Sequence, residues 1–298
     1  MNYIAVDWGT SNFRALSVRD GVVIKSVQDS CGVGKCQRSA LPEILKQQLH
    51  RLEDAYDEQI PVLLCGMIGS NIGIADAGYL NMPLSFSQLL GKGLELPGIL
   101  PNPLTIRPGI CDKRVNEICR GEEMQLAGAL TLSDASTFAA VGTHSKWLWV
   151  ERSQQQVTEM QTLMTGELYH LLLNQSVVGK GLPEQVHSPA AFQAGVETAL
   201  SVVHEKVELV TELFRCRGRY ILGALAQEQA ASWLSGLLIG YEVACGHPSG
   251  DKTVCFIGSE MLLPRYRLAC EVLHRRYELL AAEDAIIAGL NGVFSYGG

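Results

Sequence analysis

The chain has 298 residues, of which 47% are hydrophobic and 18% charged, and a net charge of −7. Such a chain is globular and long enough for a sizeable core, most simply as two domains. Its acidic balance argues against nucleic acid or an anionic membrane as the main partner, and no apolar run nears the roughly 20 residues that span a bilayer.

The first dozen residues are the most informative. Ile4-Ala5-Val6-Asp7-Trp8 is an apolar strand that runs into Gly9-Thr10-Ser11-Asn12 and resumes as a second strand, Phe13 to Val18. A tight, glycine-containing turn lets backbone N–H groups approach an anion, and Thr10 and Ser11 add hydroxyl donors. Asp7, at the strand end, suits a hydrated Mg²⁺ beside phosphates. An ordinary hairpin turn is the alternative. Asp20-Gly21 marks a second turn, so residues 1–27 read as three short strands. A helix is predicted over Leu41–Tyr56, led by Pro42. Pro61–Cys65 is a buried strand ending in Gly66-Met67-Ile68-Gly69-Ser70-Asn71. Residues 81–115 are rich in Pro and Gly, and Arg120 to Leu132 is a helix opening on Gly121.

The pattern then restarts. Thr137–Val141 is an apolar strand, Gly142-Thr143-His144-Ser145 a turn and Lys146–Glu151 a return strand, with another strand over Val157–Gln161. Helices are predicted over Glu167–Asn174, Pro189–Phe214 and Ala226–Cys245. A strand over Thr253–Ile257 stops at Gly258-Ser259, and helices follow over Pro264–Tyr277 and Glu283–Asn291. Each half begins with a strand–turn–strand carrying Gly and Thr, a weak internal repeat. It places a boundary near Ser133-Asp134, giving domains 1–133 and 134–298 as duplicated lobes with a cleft between them. The nine cysteines are scattered and form no CxxC pair, so they read as reduced thiols in a cytoplasm. The N-terminus enters a core strand with no leader pattern, which gives the same expectation of a cytoplasmic protein.

Gly142-Thr143-His144-Ser145-Lys146 again places glycine, hydroxyls and cations in a tight turn, as phosphate oxygens require. Two such hairpins opening two lobes match the actin-like and sugar-kinase ATPase superfamily. Its fold is α/β: two actin-like (ribonuclease H-like) lobes with mixed sheets and a nucleotide cleft between them. Gly258 and Ser259 are then expected to flank the adenosine. Glu122 and Glu123 sit at a helix start just before the second hairpin, where carbohydrate kinases carry their base. Either one fits a general base, and a helix-dipole role is the plainer alternative.

Taken in order, Asp7-Trp8-Gly9-Thr10, Gly66-Met67-Ile68-Gly69-Ser70, Arg120-Gly121-Glu122-Glu123, Gly142-Thr143-His144-Ser145-Lys146-Trp147, Met164-Thr165-Gly166-Glu167 and Ser235-Gly236-Leu237-Leu238-Ile239-Gly240 resemble the 2-dehydro-3-deoxygalactonokinase family over essentially the whole chain. The resemblance implies phosphorylation of 2-dehydro-3-deoxy-D-galactonate on its 6-hydroxyl with ATP and Mg²⁺, in galactonate breakdown. It departs after Ser70: the family pattern continues Arg-Gln-Gly-Trp, where this chain has Asn71-Ile72-Gly73-Ile74. A missing Arg there removes one partner for the substrate carboxylate. The remaining candidates are Arg14, Arg120 and the segment Gly66, Met67, Gly69, Ser70 and Asn71, with Glu167 for sugar hydroxyls. The expected partners are the sugar acid and ATP, with a homodimer left open. A kinase of the same fold for another acceptor, or a non-enzymatic actin-like nucleotide switch, are the alternatives.

Overall fold

The computed structural model describes residues 1–91, 93–205, 207–247 and 252–296. The chain divides into two compact units. The first comprises Met1–Asp134, Trp149–Met160 and Ala282–Gly298, and the second Ala135–Leu148 and Gln161–Ala281. This differs from a single cut at 133/134. The C-terminal helix, Ala282–Tyr296, belongs with the first unit because its small residues pack on the helix Glu122–Leu132. A side chain at Gly128 would sit 1.8 Å from the Ala285 carbonyl oxygen.

The first unit is built on a mixed sheet ordered Val22–Asp29, Phe13–Arg19, Tyr3–Trp8, Val62–Cys65, Leu104–Ile106, Leu94–Glu95. The first three strands form an antiparallel meander, and Val62–Cys65 lies parallel to Tyr3–Trp8, with Asp7 beside Cys65. Five residues of Tyr3–Trp8 are buried, as a strand covered on both faces demands. Trp8, Phe13, Leu41, Leu45 and Val62 share its core. The helix expected to reach Tyr56 ends at His50, and Glu53 turns the chain with a φ of 51°. Within the Pro- and Gly-rich stretch, Gly109–Asp112 is the middle strand of a small sheet with Glu117–Cys119 and Tyr79–Asn81.

In the second unit Thr137–Ala140, Val254–Gly258 and Tyr277–Ala281 run parallel. The helix expected over Pro264–Tyr277 stops at Val272, because His274 takes a left-handed φ of 51° and the chain re-enters as the strand Tyr277–Ala281. The single helix expected over Pro189–Phe214 is two, Pro189–Glu205 and Leu209–Ile221, with extended Glu208 before the second; residue 206 lies outside the described residues. Ala230–Gly246 is mostly apolar and buried along nearly its whole length, as a core helix must be. Gly236 and Gly195 let it approach Pro189–Glu205 closely, since a Cβ at Gly236 would lie 2.0 Å from the Phe192 carbonyl oxygen. All nine cysteines are free thiols. Among the described residues no helix is long and apolar enough to cross a membrane.

Candidate active site

In the first unit the turn after Asp7 is held from behind. The carbonyl groups of Gly9, Thr10 and Ser11 accept the backbone N–H groups of Val33 (2.9 Å), Gly34 (3.0 Å) and Gly32 (3.2 Å). A trans peptide points its C=O and N–H in opposite directions. Capturing three consecutive carbonyls therefore presents the N–H groups of Thr10, Ser11 and Asn12 on the other side, where they have no acceptor among the described residues. Thr10, Ser11 and Asn12 are exposed. Such a row of outward donors suits an anion chemically. The supporting segment has to be glycine-rich, because a Cβ at Gly32 would sit 2.3 Å from the Thr10 carbonyl oxygen. Sequence reasoning missed this support, although Gly32-Val33-Gly34-Lys35 was a visible cluster.

Asp7 is half-buried beside that turn. Burial pushes its pKa up to about 6, with Arg14 lowering and Glu122 raising it. Gly66, at a φ of 89°, closes on it: a Cβ there would lie 2.9 Å from the Trp8 carbonyl oxygen and 3.1 Å from Asp7 Oδ1. Only glycine meets both demands. Gly121 stands next to Gly66, its would-be Cβ 3.5 Å from the Gly66 Cα. This brings the start of Glu122–Leu132 to the end of the Asp7 strand.

The two glutamates part company there. Glu123 is 2% exposed; its Oε2 accepts the Gly121 N–H and its Oε1 has no partner among the described residues. Burial, then the Glu122 charge, push its pKa up to about 8. Glu122 is half-buried and accepts from Cys119 Sγ at 3.4 Å. Cys119, Glu122 and Glu123 bring their ligand atoms within 4.8 Å of one another.

The Arg120 side chain is buried, its guanidinium 4.3 Å above the Tyr79 ring, with Nη2 donating to the Gly78 carbonyl at 3.0 Å and standing 3.9 Å from Asp76 Oδ1. Its Nε and Nη1 have no hydrogen-bond acceptor among the described residues. Arg14, by contrast, is paired with Glu283 at 3.1 Å, stands in register with Asp7 and lowers the Asp7 pKa. Ser70 turns its hydroxyl onto the Met67 carbonyl (2.7 Å), and the Gly69 and Ser70 N–H groups close a local turn. Met67 is half-buried and Asn71 exposed.

In the second unit Gly142, Thr143 and His144 form the turn, with Thr143 and His144 exposed and open space over Gly142. The helix Thr165–Gln175 starts against it: the Glu167 N–H donates to the Thr143 carbonyl at 3.0 Å, and a Cβ at Gly166 would meet the Gly142 carbonyl oxygen at 2.6 Å. Glu167 holds His144 Nε2. Ser145 and Lys146 face inward. Ser145 is 0% exposed, and its hydroxyl donates to Glu242 Oε2 at 3.1 Å. Glu242, raised in pKa by burial, also accepts from Tyr266 (2.8 Å) and Trp147 Nε1 (3.0 Å). Lys146 is buried and donates to Thr162 Oγ1 at 2.9 Å. Gly258 faces Val141, its would-be Cβ 2.8 Å from Cγ2, so it is small for packing; Ser259 is exposed beside it. Sequence reasoning also missed two neighbouring cavities that share Tyr169, Ser235 and Arg265: one of about 50 Å³ beside Gly142, Thr165 and Gly166, and one of about 220 Å³ beside Gln185 and Phe192.

Comparison with known proteins places this arrangement. The family model described as 2-keto-3-deoxy-galactonokinase matches residues 7–293. The chain is 37% identical to the 2-dehydro-3-deoxygalactonokinase of Escherichia coli (strain K12) over 98% of this chain and 97% of that protein. It superposes on a crystal structure from Sinorhizobium meliloti that carries a provisional 2-dehydro-3-deoxygalactonokinase name, with a TM-score of 0.86 and 29% identity over 98% of this chain and 97% of that one. The activator of the 2-hydroxyisocaproyl-CoA dehydratase from Clostridium difficile, solved with bound ADPNP, shares the fold at a TM-score of 0.52 and 9% identity, over 99% and 96% of the chains. The fold is that of the actin-like ATPases and sugar kinases.

Proposed function

Because the chain belongs to the 2-keto-3-deoxy-galactonokinase family, it is a sugar-acid kinase that phosphorylates 2-dehydro-3-deoxygalactonate with ATP in galactonate catabolism, and we propose how its residues divide that work. The observation that carries the division is the first hairpin: three outward N–H groups, fixed from behind, directly after a carboxylate of raised pKa. We infer that Gly9, Thr10, Ser11 and Asn12 take a phosphate of ATP and that the 6-hydroxyl is the acceptor.

Asp7 fits a divalent cation such as Mg²⁺. It offers hard oxygen donors, and its raised pKa reflects a buried charge that a cation would compensate. Mg²⁺ held there would neutralise charge on the phosphate oxygens during transfer. Glu122 takes the proton from the attacking hydroxyl, being the half-buried member of the acid pair. Glu123, protonated at neutral pH, stays neutral and holds the loop at Gly121. The unpartnered Nε and Nη1 of Arg120 suit the substrate carboxylate, a charge-assisted pairing that would satisfy a buried cation. In the second unit Gly142, Thr143 and His144 take nucleotide phosphates at the start of the helix Thr165–Gln175. The cavities beside Tyr169, Ser235 and Arg265 receive the adenosine, with Ser259 farther along the same unit. The reaction runs in the cytoplasm.

An ADP-release screen over hexoses, N-acetylhexosamines and 2-keto-3-deoxy sugar acids tests the acceptor. The highest kcat/KM is expected with 2-dehydro-3-deoxygalactonate, and the product should carry its phosphate on C6. A hexose as best acceptor would overturn the assignment.

A further inference from the structure

Cys119 has no part in the division of work above, yet its thiol lies on the assigned base. It ends the strand Glu117–Cys119, where it pairs with Ile110 and is 1% exposed. Gly121, at a φ of 108°, then reverses the chain into the helix Glu122–Leu132. The first helical turn is thereby folded back on the strand end. Cys119 Sγ donates to Glu122 Oε2 at 3.4 Å. One ligand atom from each of Cys119, Glu122 and Glu123 lies within 4.8 Å of the other two, and no other three Cys, His, Asp or Glu side chains converge in this way among the described residues.

This spacing suits a tetrahedral cation. Zinc holds sulfur at about 2.3 Å and carboxylate oxygen at about 2.0 Å, which sets neighbouring S and O ligands about 3.5 Å apart. The Cys119–Glu122 separation of 3.4 Å matches. Glu123 has an oxygen to spare: Oε2 is taken by the Gly121 N–H, while Oε1 is buried without a partner among the described residues. A buried acceptor left without a partner costs free energy until something binds it. Nor is a thiol the best donor to a carboxylate. Serine would make the stronger hydrogen bond, whereas a thiolate adds affinity for borderline-soft cations. The same sulfur sets the trio apart from Asp7, which offers only the oxygen that Mg²⁺ prefers.

We propose that Cys119, Glu122 and Glu123 form an inhibitory zinc site: a zinc ion held by the thiolate and one oxygen from each glutamate ties up the carboxylate that takes the substrate's proton, and so stops transfer. The thiol proton leaves to solvent as the ion binds, since metal ligands must be deprotonated. Water fills the fourth position. The inhibition, though not the binding, rests on Glu122 as the base given under the proposed function.

Cobalt(II) reports on the same ligands, because a thiolate–cobalt bond absorbs by charge transfer in the near ultraviolet and a carboxylate–cobalt bond does not. Enzyme freed of metal and titrated with Co²⁺ should develop that band, and Zn²⁺ should abolish it. Cys119→Ser keeps a hydroxyl donor for Glu122 but supplies no thiolate. It should lack the band while its Tm and its turnover with Mg·ATP stay near wild type. With free zinc set by a metal buffer and Mg·ATP saturating, zinc should inhibit the wild type. Half-inhibition of Cys119→Ser should need at least about tenfold more zinc, since losing even a group that only supports a ligand costs a metal site that much. Glu123→Gln should weaken zinc binding to a similar degree, which keeps the test decisive if serine at 119 disturbs the fold. A wild type without the band, or an equal band in Cys119→Ser, would overturn the site. Equal inhibition of both proteins would overturn it as well, by placing the zinc elsewhere. A band that depends on Cys119, with turnover intact at saturating zinc, would overturn the inhibition and with it Glu122 as the base, while the metal site stood.

Discussion

Glu122 and Glu123 are adjacent acids, and the structure gives them opposite fates that a pair of substitutions can read. With its pKa near 8, Glu123 is about nine-tenths protonated at pH 7. A protonated carboxyl cannot accept the hydroxyl proton. Gln resembles that neutral form and can still accept the Gly121 N–H, so Glu123→Gln should change kcat by about threefold or less. Glu122→Gln removes the half-buried carboxylate and should lower kcat by roughly a hundred- to ten-thousandfold, with a much smaller change in KM. The same substitutions separate in stability. Glu123 has an ordinary pKa of 4.5 when unfolded and about 8 when folded, so its contribution is full below 4.5 and is lost as pH rises toward 8. The slope is about 1.4 kcal/mol per pH unit. From pH 6 to pH 9 the wild type should therefore lose on the order of 2–3 kcal/mol that Glu123→Gln does not lose. Urea unfolding of both proteins at pH 6 and pH 9, with single-turnover kinetics at pH 7.5, measures the two effects. A hundredfold fall in kcat for Glu123→Gln, with near-normal turnover in Glu122→Gln, would refute the reasoning and make the buried acid the base.

Other consequences follow from the same geometry. Asp7→Asn should leave the far-UV circular dichroism unchanged and lower turnover by about a hundredfold or more, the scale of lost charge stabilisation. In the wild type, activity should fall as pH drops through about 6, because Asp7 takes up a proton there and loses the charge that holds a cation; a pH–rate profile flat from 7 to 5 would count against its role. Ser145→Ala leaves the buried Glu242 short of one donor and should cost about 1–3 kcal/mol of stability, read by denaturant melts, with the KM for ATP nearly unchanged. Thr143→Val, at an exposed turn position, should do the reverse, weakening ATP binding more than sugar-acid binding by calorimetry.

The parts legible in the sequence were those set by local chemistry. Asp7-Trp8-Gly9-Thr10 announces a strand and a tight turn because glycine and hydroxyls fill a turn whatever surrounds it, and the hairpin lies where those residues put it. The repeat of that pattern at Gly142 shows the same physics, and so does the helix start at Glu122. Side-chain direction inside the elements was not local. Ser145 and Lys146 look like phosphate ligands in a row of polar residues, but Ser145 meets Glu242 and Lys146 meets Thr162, partners 97 and 16 residues away. The strand Tyr277–Ala281 has no counterpart among the elements read from the sequence, where a helix reaches Tyr277, because its pairing energy comes from Val254–Gly258 and not from its own pattern. Two neighbouring glutamates carry identical local signals, and only the packing around Glu122–Leu132 buries one and leaves the other half open. The direction of the N–H groups in the first hairpin depends on carbonyls held by Gly32–Gly34, more than twenty residues farther along the chain. The sequence by itself therefore determined where the turns, strands and candidate acids lie, because those follow from backbone freedom and short-range periodicity. Tertiary structure alone decided which polar groups remain free to bind and which are committed to the core, because desolvation and hydrogen-bond pairing are settled between residues that the chain order keeps apart.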